Sequence, residues 1–105
     1  MIIKNKKKGI LFWITGLPGA GKTSIANKII NTINIEFGHT ILFNGDDIRK
    51  IFELKDYSLI GRKRIGMQYS KLFQKITDQK INILFAGGVL IEEVRKRNKK
   101  YINNY

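Results

Sequence analysis

The chain has 105 residues, 43% of them hydrophobic, which is enough for one small domain with a buried core and excludes a disordered tail. It contains no cysteine, which excludes a disulfide framework, a thiolate zinc site and a cysteine nucleophile, and fits a reducing cytoplasm. The net charge of +12 favours an anionic partner such as nucleic acid, but the basic residues are spread along the chain, so we expect nucleic acid to be an unlikely partner.

The chain begins with lysines that precede an apolar run at residues 10–14 and superficially resemble a signal peptide. The run is too short for the apolar region of such a peptide, and no apolar stretch approaches the ~20 residues that a membrane span needs. We therefore expect a cytoplasmic protein with no membrane partner.

Apolar spacing predicts an alternation of strands and helices. Residues 10–14 form a β-branched and aromatic run, typical of a strand buried on both faces of a parallel sheet. Residues 22–37 carry apolar side chains at helical spacing. Further along we predict a strand at 40–43, a short helix at 47–54, an irregular stretch at 56–61, a helix at 62–78, a strand at 81–86 and a helix at 90–99.

A glycine-rich stretch joins the first predicted strand to the first helix and matches the phosphate-binding pattern G-x-x-x-x-G-K-[ST]. In such a P-loop, backbone N–H groups surround an anion and the following helix adds its positive end. We expect Lys22 to reach the β- and γ-phosphates of ATP and the Thr23 hydroxyl to bind Mg²⁺. The residues expected to bind ATP are Gly16, Leu17, Pro18, Gly19, Ala20, Gly21, Lys22, Thr23 and Ser24.

The motif and the order of the elements predict an α/β fold, a P-loop NTPase-type three-layer sandwich with a parallel sheet. No repeat or linker interrupts the sequence, so we expect one domain over residues 1–105. Three strands make a thin sheet, and residues 101–105 look like the approach to a further strand. We therefore expect a partial domain whose sheet is incomplete.

Asp46 and Arg49 follow the second predicted strand, at the carboxyl edge of the sheet where α/β proteins bind ligands. Asp46 could hold Mg²⁺ through water or accept the proton of an attacking hydroxyl, and Arg49 could clamp an anionic acceptor. The alternative is a turn capped by Asp46 or Asp47, with Arg49 on the surface.

Tyr57 and Arg62 lie in and beside the predicted irregular stretch. They could stack on a base and bind a phosphate, or they could be an ordinary core tyrosine and a solvated arginine. His39, the only histidine, has no metal-binding neighbours in sequence, and we assign it no role.

Taken together, these segments resemble adenylylsulfate kinase. That family has Phe-Trp in its first strand, then G-L-S-G-S-G-K-T, then D-G-D-x-x-R, then an aromatic-Ser segment leading to D-R or G-R. The matching segments here are Phe12-Trp13, residues 16–23, Asn44-Gly45-Asp46 with Arg49, Tyr57-Ser58 leading to Gly61-Arg62, and, further along, residues 78–82 and 98–105.

The resemblance implies that ATP phosphorylates the 3′-hydroxyl of adenylyl sulfate. Lys22 and Asp46 would be the catalytic residues, and Thr23 and Asp46 would hold Mg²⁺. The residues that would contact the acceptor nucleotide are Arg49, Tyr57 and Arg62. The resemblance also leaves a homodimer open.

Several positions depart from the family pattern. Asn44 replaces the first Asp of D-G-D, Gly61 replaces the Asp of D-R, and Ile65 stands where an acceptor-binding Asn is expected. Gln68, Gly88 and Lys99 depart as well, and the family's domain continues past this length. Two alternatives stay open: a kinase for another nucleotide, such as a cytidine diphosphate conjugate, and a fragment that binds a nucleotide without transferring phosphate.

Overall fold

The structure, a computed structural model, describes residues 8–16, 21–88 and 90–105. Strands and helices alternate along these ranges, as the apolar spacing predicts. The elements are β1 (Leu11–Ile14), α1 (Lys22–Phe37), β2 (Thr40–Asn44), α2 (Gly45–Ile51), α3 (Leu59–Asp78), β3 (Asn82–Ala86) and α4 (Glu92–Tyr101).

The three strands form a parallel sheet in the order β1-β3-β2. β3 is central, pairing Ile83 with Leu11 on one side and with Ile41 on the other, and all five of its residues are buried. A strand covered on both faces and paired on both edges requires apolar residues throughout, which explains the unbroken apolar run from Ile83 to Ala86.

Helices cover both faces of the sheet. Alternate residues of β3 point to opposite faces, so Ile83 and Phe85 belong to one core cluster and Leu84 and Ala86 to another. The first cluster contains residues of α2 and α3: Ile48, Ile65, Tyr69 and Phe73. The second contains Ala26 and Ile33 of α1. This arrangement confirms the predicted three-layer α/β sandwich with a parallel sheet.

Three predicted helix starts are wrong: α4 begins at Glu92 rather than at residue 90, and for α2 and α3 a side-chain cap is the reason. α2 begins at Gly45 rather than at residue 47, because Asn44 Oδ1 accepts the backbone N–H of Asp46 at 2.9 Å. α3 begins at Leu59, inside the stretch predicted to be irregular, because Ser58 Oγ accepts the N–H of Gly61 at 3.0 Å. The capping residues predicted for the first of these turns, Asp46 or Asp47, are not the cap.

Residues near both ends of the described chain meet at β1. Ile10 forms an isolated parallel bridge with Asn104, on the edge of β1 away from β3, so the predicted strand-like approach is a single bridge. Asn82 ties the same end of the sheet together, since its side chain accepts from Ile10 N–H and donates to Phe37 O.

Among the described residues, no helix is long and apolar enough to cross a membrane.

Candidate functional site

An open cavity of about 540 Å³ lies where the three parallel strands end. Its wall includes Gly21, Lys22 and Thr23 at the start of α1. The segment from β2 through α2 to the first turns of α3 contributes the other predicted polar residues: Asp46, Arg49, Tyr57 and Arg62. Apart from Gly16, the structure therefore brings the predicted site residues that it describes into one cavity.

The start of α1 forms the end of the cavity that we call the phosphate end (residues 21–24). Gly21 adopts φ 81°, a left-handed conformation that glycine tolerates, and it has no side chain to cap the helix. The first turn of α1 also carries no acidic residue, so its positive dipole end favours an anion. Lys22 Nζ donates to Gly16 O at 3.0 Å, which holds the lysine across the base of the loop.

The predicted ATP-binding residues Leu17, Pro18, Gly19 and Ala20 lie outside the described residues. Gly16, Gly21, Lys22, Thr23 and Ser24 are described, and the last four line the cavity.

Asn44 connects the phosphate end to α2. Its Oδ1 caps α2, so its Nδ2 faces Thr23 and donates to Thr23 Oγ1 at 2.7 Å. An aspartate here would keep the cap but could not donate this hydrogen bond. The replacement of the family's aspartate by Asn44 therefore removes a negative charge and fixes the Thr23 hydroxyl as an acceptor.

The donor set fits Mg²⁺ carried in with a nucleotide better than a metal bound by protein alone. No group of three or more His, Cys, Asp or Glu residues gathers within the described ranges. The Thr23 hydroxyl and the Asp46 carboxylate line the same cavity, and Mg²⁺ commonly takes one or two protein oxygens with phosphates and water. After accepting from Asn44, Thr23 Oγ1 retains a lone pair for a metal.

Arg49, Tyr57 and Arg62 form what we call the acceptor end of the cavity. Arg49 Nη1 donates to Leu54 O and Asp56 O, both at 3.2 Å, and its guanidinium lies 4.1 Å from the Tyr57 ring centroid. The loop after α2 thus orients Arg49, and the cation–π contact fixes Tyr57 beside it.

The carboxylate of Asp56 occupies the space that a side chain at position 61 would need. A Cβ added to Gly61 would clash with the Asp56 carboxyl group. Asp56 Oδ1 accepts from Ser58 N at 2.9 Å and from Ser58 Oγ, and Oδ2 lies 3.7 Å from Arg64. The side-chain and then the backbone hydrogen bond from Ser58 hold the pKa of Asp56 below its ordinary value, with Arg64 adding to them.

This geometry explains one of the departures in sequence. Where the family pattern has an aspartate at position 61, this chain has glycine, and the carboxylate in that space comes from Asp56 in the preceding loop. A side chain at position 61 would therefore require the Asp56 carboxyl group to move away.

Sequence reasoning gave no site role to three further residues. Thr15 Oγ donates to Gly88 O at 2.8 Å and accepts from Leu90 N–H at 2.7 Å, which ties the loop after β1 to the loop after β3. Trp13 and Tyr69 form part of the cavity wall. Their apolar spacing marked them as core, and only the polar atom on each ring could have indicated more.

The chain is a parallel α/β sandwich, and the sequence between its first strand and its first helix matches G-x-x-x-x-G-K-[ST]. It therefore belongs to the P-loop class. Residues 8–104 match the family model described as adenylylsulphate kinase, so the chain belongs to the adenylylsulphate kinase family. The resemblance seen in the sequence is confirmed.

Curated relatives include two kinases that match along most of the chain. The cytidine diphosphoramidate kinase of Campylobacter jejuni is 26% identical over 95% of this chain and 59% of its own length. The adenylyl-sulfate kinase of Buchnera aphidicola is 31% identical over 92% of this chain and 45% of its own length. The chain thus spans 59% and 45% of these relatives.

Solved structures show the same fold. The Mycobacterium tuberculosis APS kinase CysC in complex with AMPPNP and APS superposes with a TM-score of 0.69 at 23% identity, covering 90% of this chain and 55% of that chain. The Cys556Ala mutant of the same kinase gives a TM-score of 0.70 at 21% identity, covering 90% and 66%.

Proposed function

We propose that the chain is the nucleotide-binding part of a kinase that transfers the γ-phosphoryl group of ATP to the 3′-hydroxyl of adenylyl sulfate, in cytoplasmic sulfate activation. The observation that carries the proposal is a single cavity with a phosphate end at the start of α1 and an acceptor end at Arg49, Tyr57 and Arg62. A kinase needs both ends in one cavity, because its two substrates must meet for an in-line transfer.

At the phosphate end, the N–H groups of α1 and the Lys22 ammonium bind the β- and γ-phosphates. Thr23 and Asp46 hold Mg²⁺ directly or through water, and the ion neutralises charge on the phosphates. The hydrogen bond that Asn44 Nδ2 donates to the Thr23 hydroxyl keeps the Thr23 side chain in one rotamer, which suits this role.

Asp46 is the candidate base for the transfer. The acceptor oxygen bonds to the γ-phosphorus, the bond from that phosphorus to the bridging oxygen of ADP breaks, and the hydroxyl proton passes to the Asp46 carboxylate. Asp46 is solvent-exposed in the first turn of α2, so its carboxylate can reach into the cavity that it lines.

Arg49, Tyr57 and Arg62 bind the acceptor nucleotide. The exposed face of Tyr57 offers a stacking surface, since its other face lies against Arg49. Arg62, in the first turns of α3, supplies a cation at the cavity wall for the acceptor's anionic group.

A second candidate acceptor is a cytidine diphosphate conjugate. The relative that covers 95% of this chain is named as a cytidine diphosphoramidate kinase, and the cavity has the apolar Ile65 where an acceptor-binding Asn was expected. An apolar side chain there cannot form the polar contact that an Asn would offer to adenylyl sulfate.

The test measures ADP release from ATP and Mg²⁺ with adenylyl sulfate, with cytidine diphosphoramidate, and with neither. Lys22→Ala is the inactive variant, and Lys28→Ala, an exposed lysine on the same helix, is its matched control. Release that depends on adenylyl sulfate, is lost in Lys22→Ala and persists in Lys28→Ala supports the proposal. Release that depends on the cytidine compound selects the second candidate, and a folded chain that binds ATP without releasing ADP refutes both.

A further inference from the structure

Two polar atoms of residues on the cavity wall are buried without a hydrogen-bond partner among the described residues. They are Trp13 Nε1 and the Tyr69 hydroxyl, on side chains that both line the cavity. Most buried polar atoms in folded proteins have a partner, so a pair without one at the same cavity calls for an explanation.

Tyr69 is nine-tenths buried, and its ring packs within the aromatic core. It lies edge-on to Phe85 at 5.2 Å and stacks with Phe73 at 6.1 Å between ring centroids. A phenylalanine would make the same ring contacts without burying an unsatisfied hydroxyl. The packing of the core therefore does not account for the oxygen atom.

The Tyr69 side chain lines the same cavity as the acceptor-end residues Arg49 and Tyr57. Burial raises the pKa of Tyr69 most strongly, Arg49 opposes this shift, and Asp46 and Tyr57 add to it.

We propose that the Tyr69 hydroxyl and the Trp13 indole N–H bind the nucleobase of the acceptor nucleotide, an inference that rests on the proposed kinase function. The indole N–H can only donate, whereas the hydroxyl can donate or accept, so together they match a base edge that presents at least one acceptor atom. The aromatic rings and Ile65 supply the flat apolar surface that a base requires.

This assignment also makes sense of Ile65. The expected acceptor-binding Asn is absent from position 65, and Tyr69 lies one helical turn further along α3, on the same face. In this proposal, the Tyr69 hydroxyl supplies a polar contact with the acceptor that Ile65 cannot.

The test compares Tyr69→Phe with the wild-type chain, with Tyr101→Phe as matched control, since Tyr101 is half-exposed on α4 and is not among the described residues that line the cavity. Dissociation constants are measured by calorimetry for adenylyl sulfate, CDP and ATP. We expect Tyr69→Phe to weaken the preferred acceptor nucleotide about tenfold, as the loss of one hydrogen bond would. Affinity for ATP should change by less than about twofold, and the melting temperature should not fall.

The outcomes separate the inference from the function. If the wild-type chain binds an acceptor nucleotide and Tyr69→Phe binds it equally well, the inference is wrong and the kinase proposal stands. If the wild-type chain binds neither acceptor, both fail. Ribose 5-phosphate, which lacks a base, should compete with the acceptor nucleotide equally well in the two proteins. Weaker competition by ribose 5-phosphate in Tyr69→Phe would overturn the assignment to the base.

Discussion

The two ends of the cavity are built in different ways. The phosphate end comes from one continuous stretch at the start of α1, which places Lys22 and Thr23 in the cavity wall. The acceptor end is assembled from side chains on α2, the loop after it and α3, each positioned by contacts with the others.

This difference explains why the departures at Gly61 and Ile65 fall among the side chains of α3. A backbone nest depends on chain direction and glycine content, so little in it can change without losing the phosphate. Side chains on separate elements can be exchanged, as Asp56 shows by filling the space beside Gly61 and as Ile65 shows in the cavity wall. Under the proposed function, these departures change the acceptor preference and leave phosphate binding unchanged.

The largest effect should come from the residue that serves both ends, Asp46. Replacing it with asparagine removes the proton acceptor and a metal ligand, and should lower the rate of ADP release by about 100-fold or more. The cap on α2 survives, because it uses the backbone N–H of residue 46. Asp47→Asn, the same charge change one residue on, should leave the rate within about twofold, and equal losses in the two variants would remove Asp46 from the mechanism.

Arg49→Lys tests whether geometry at the acceptor end matters beyond charge. Lysine keeps the cation but cannot reproduce the guanidinium's two carbonyl contacts and its stacking on Tyr57. The KM for the acceptor should rise about tenfold, and the KM for ATP should not change. Arg95→Lys, an exposed substitution on α4, is the control. A parallel rise in the KM for ATP in Arg49→Lys would contradict the separation of the two ends.

Gly61→Ala tests whether a side chain at position 61 and the Asp56 carboxyl group compete for the same space. In a helix, alanine ordinarily stabilises relative to glycine, but here its Cβ meets the Asp56 carboxyl group, so the free energy of unfolding should fall by about 1 kcal/mol. In an Asp56→Ala background, the same substitution should be neutral or stabilising. Urea denaturation of the four proteins measures the coupling, and additive effects would show that the two positions do not compete for space.

The smallest effect concerns acid stability. The folded state holds the pKa of Asp56 below its ordinary value, so protonation of this carboxyl favours the unfolded chain. Its stabilising effect is therefore present above about pH 4 and is lost as the pH falls through the lowered pKa. Asp56→Asn should show a shallower loss of stability over this range in thermal melts, whereas curves parallel to wild type would exclude the contribution.

Much of the fold was predictable because its signals are local. Buried parallel strands are unbroken apolar runs in the sequence, and residues 16–23 match the pattern of a phosphate-binding loop. The start of α3 was missed because Ser58 caps it inside a stretch with no apolar spacing. The contact of Asp56 with position 61 depends on the path of a loop, which the sequence pattern does not define. Helical spacing marks Tyr69 as a core residue whether or not its hydroxyl has a partner, so the sequence could not single out that hydroxyl.

The central claim is that one cavity holds two separable binding ends, and a two-by-two binding experiment tests it most directly. Dissociation constants for ATP and for adenylyl sulfate are measured with Lys22→Ala and with Arg62→Ala. We predict that Lys22→Ala weakens ATP at least about tenfold with little effect on adenylyl sulfate, and that Arg62→Ala does the reverse. Equal weakening of both ligands by each variant, or of neither ligand by either, would contradict the account.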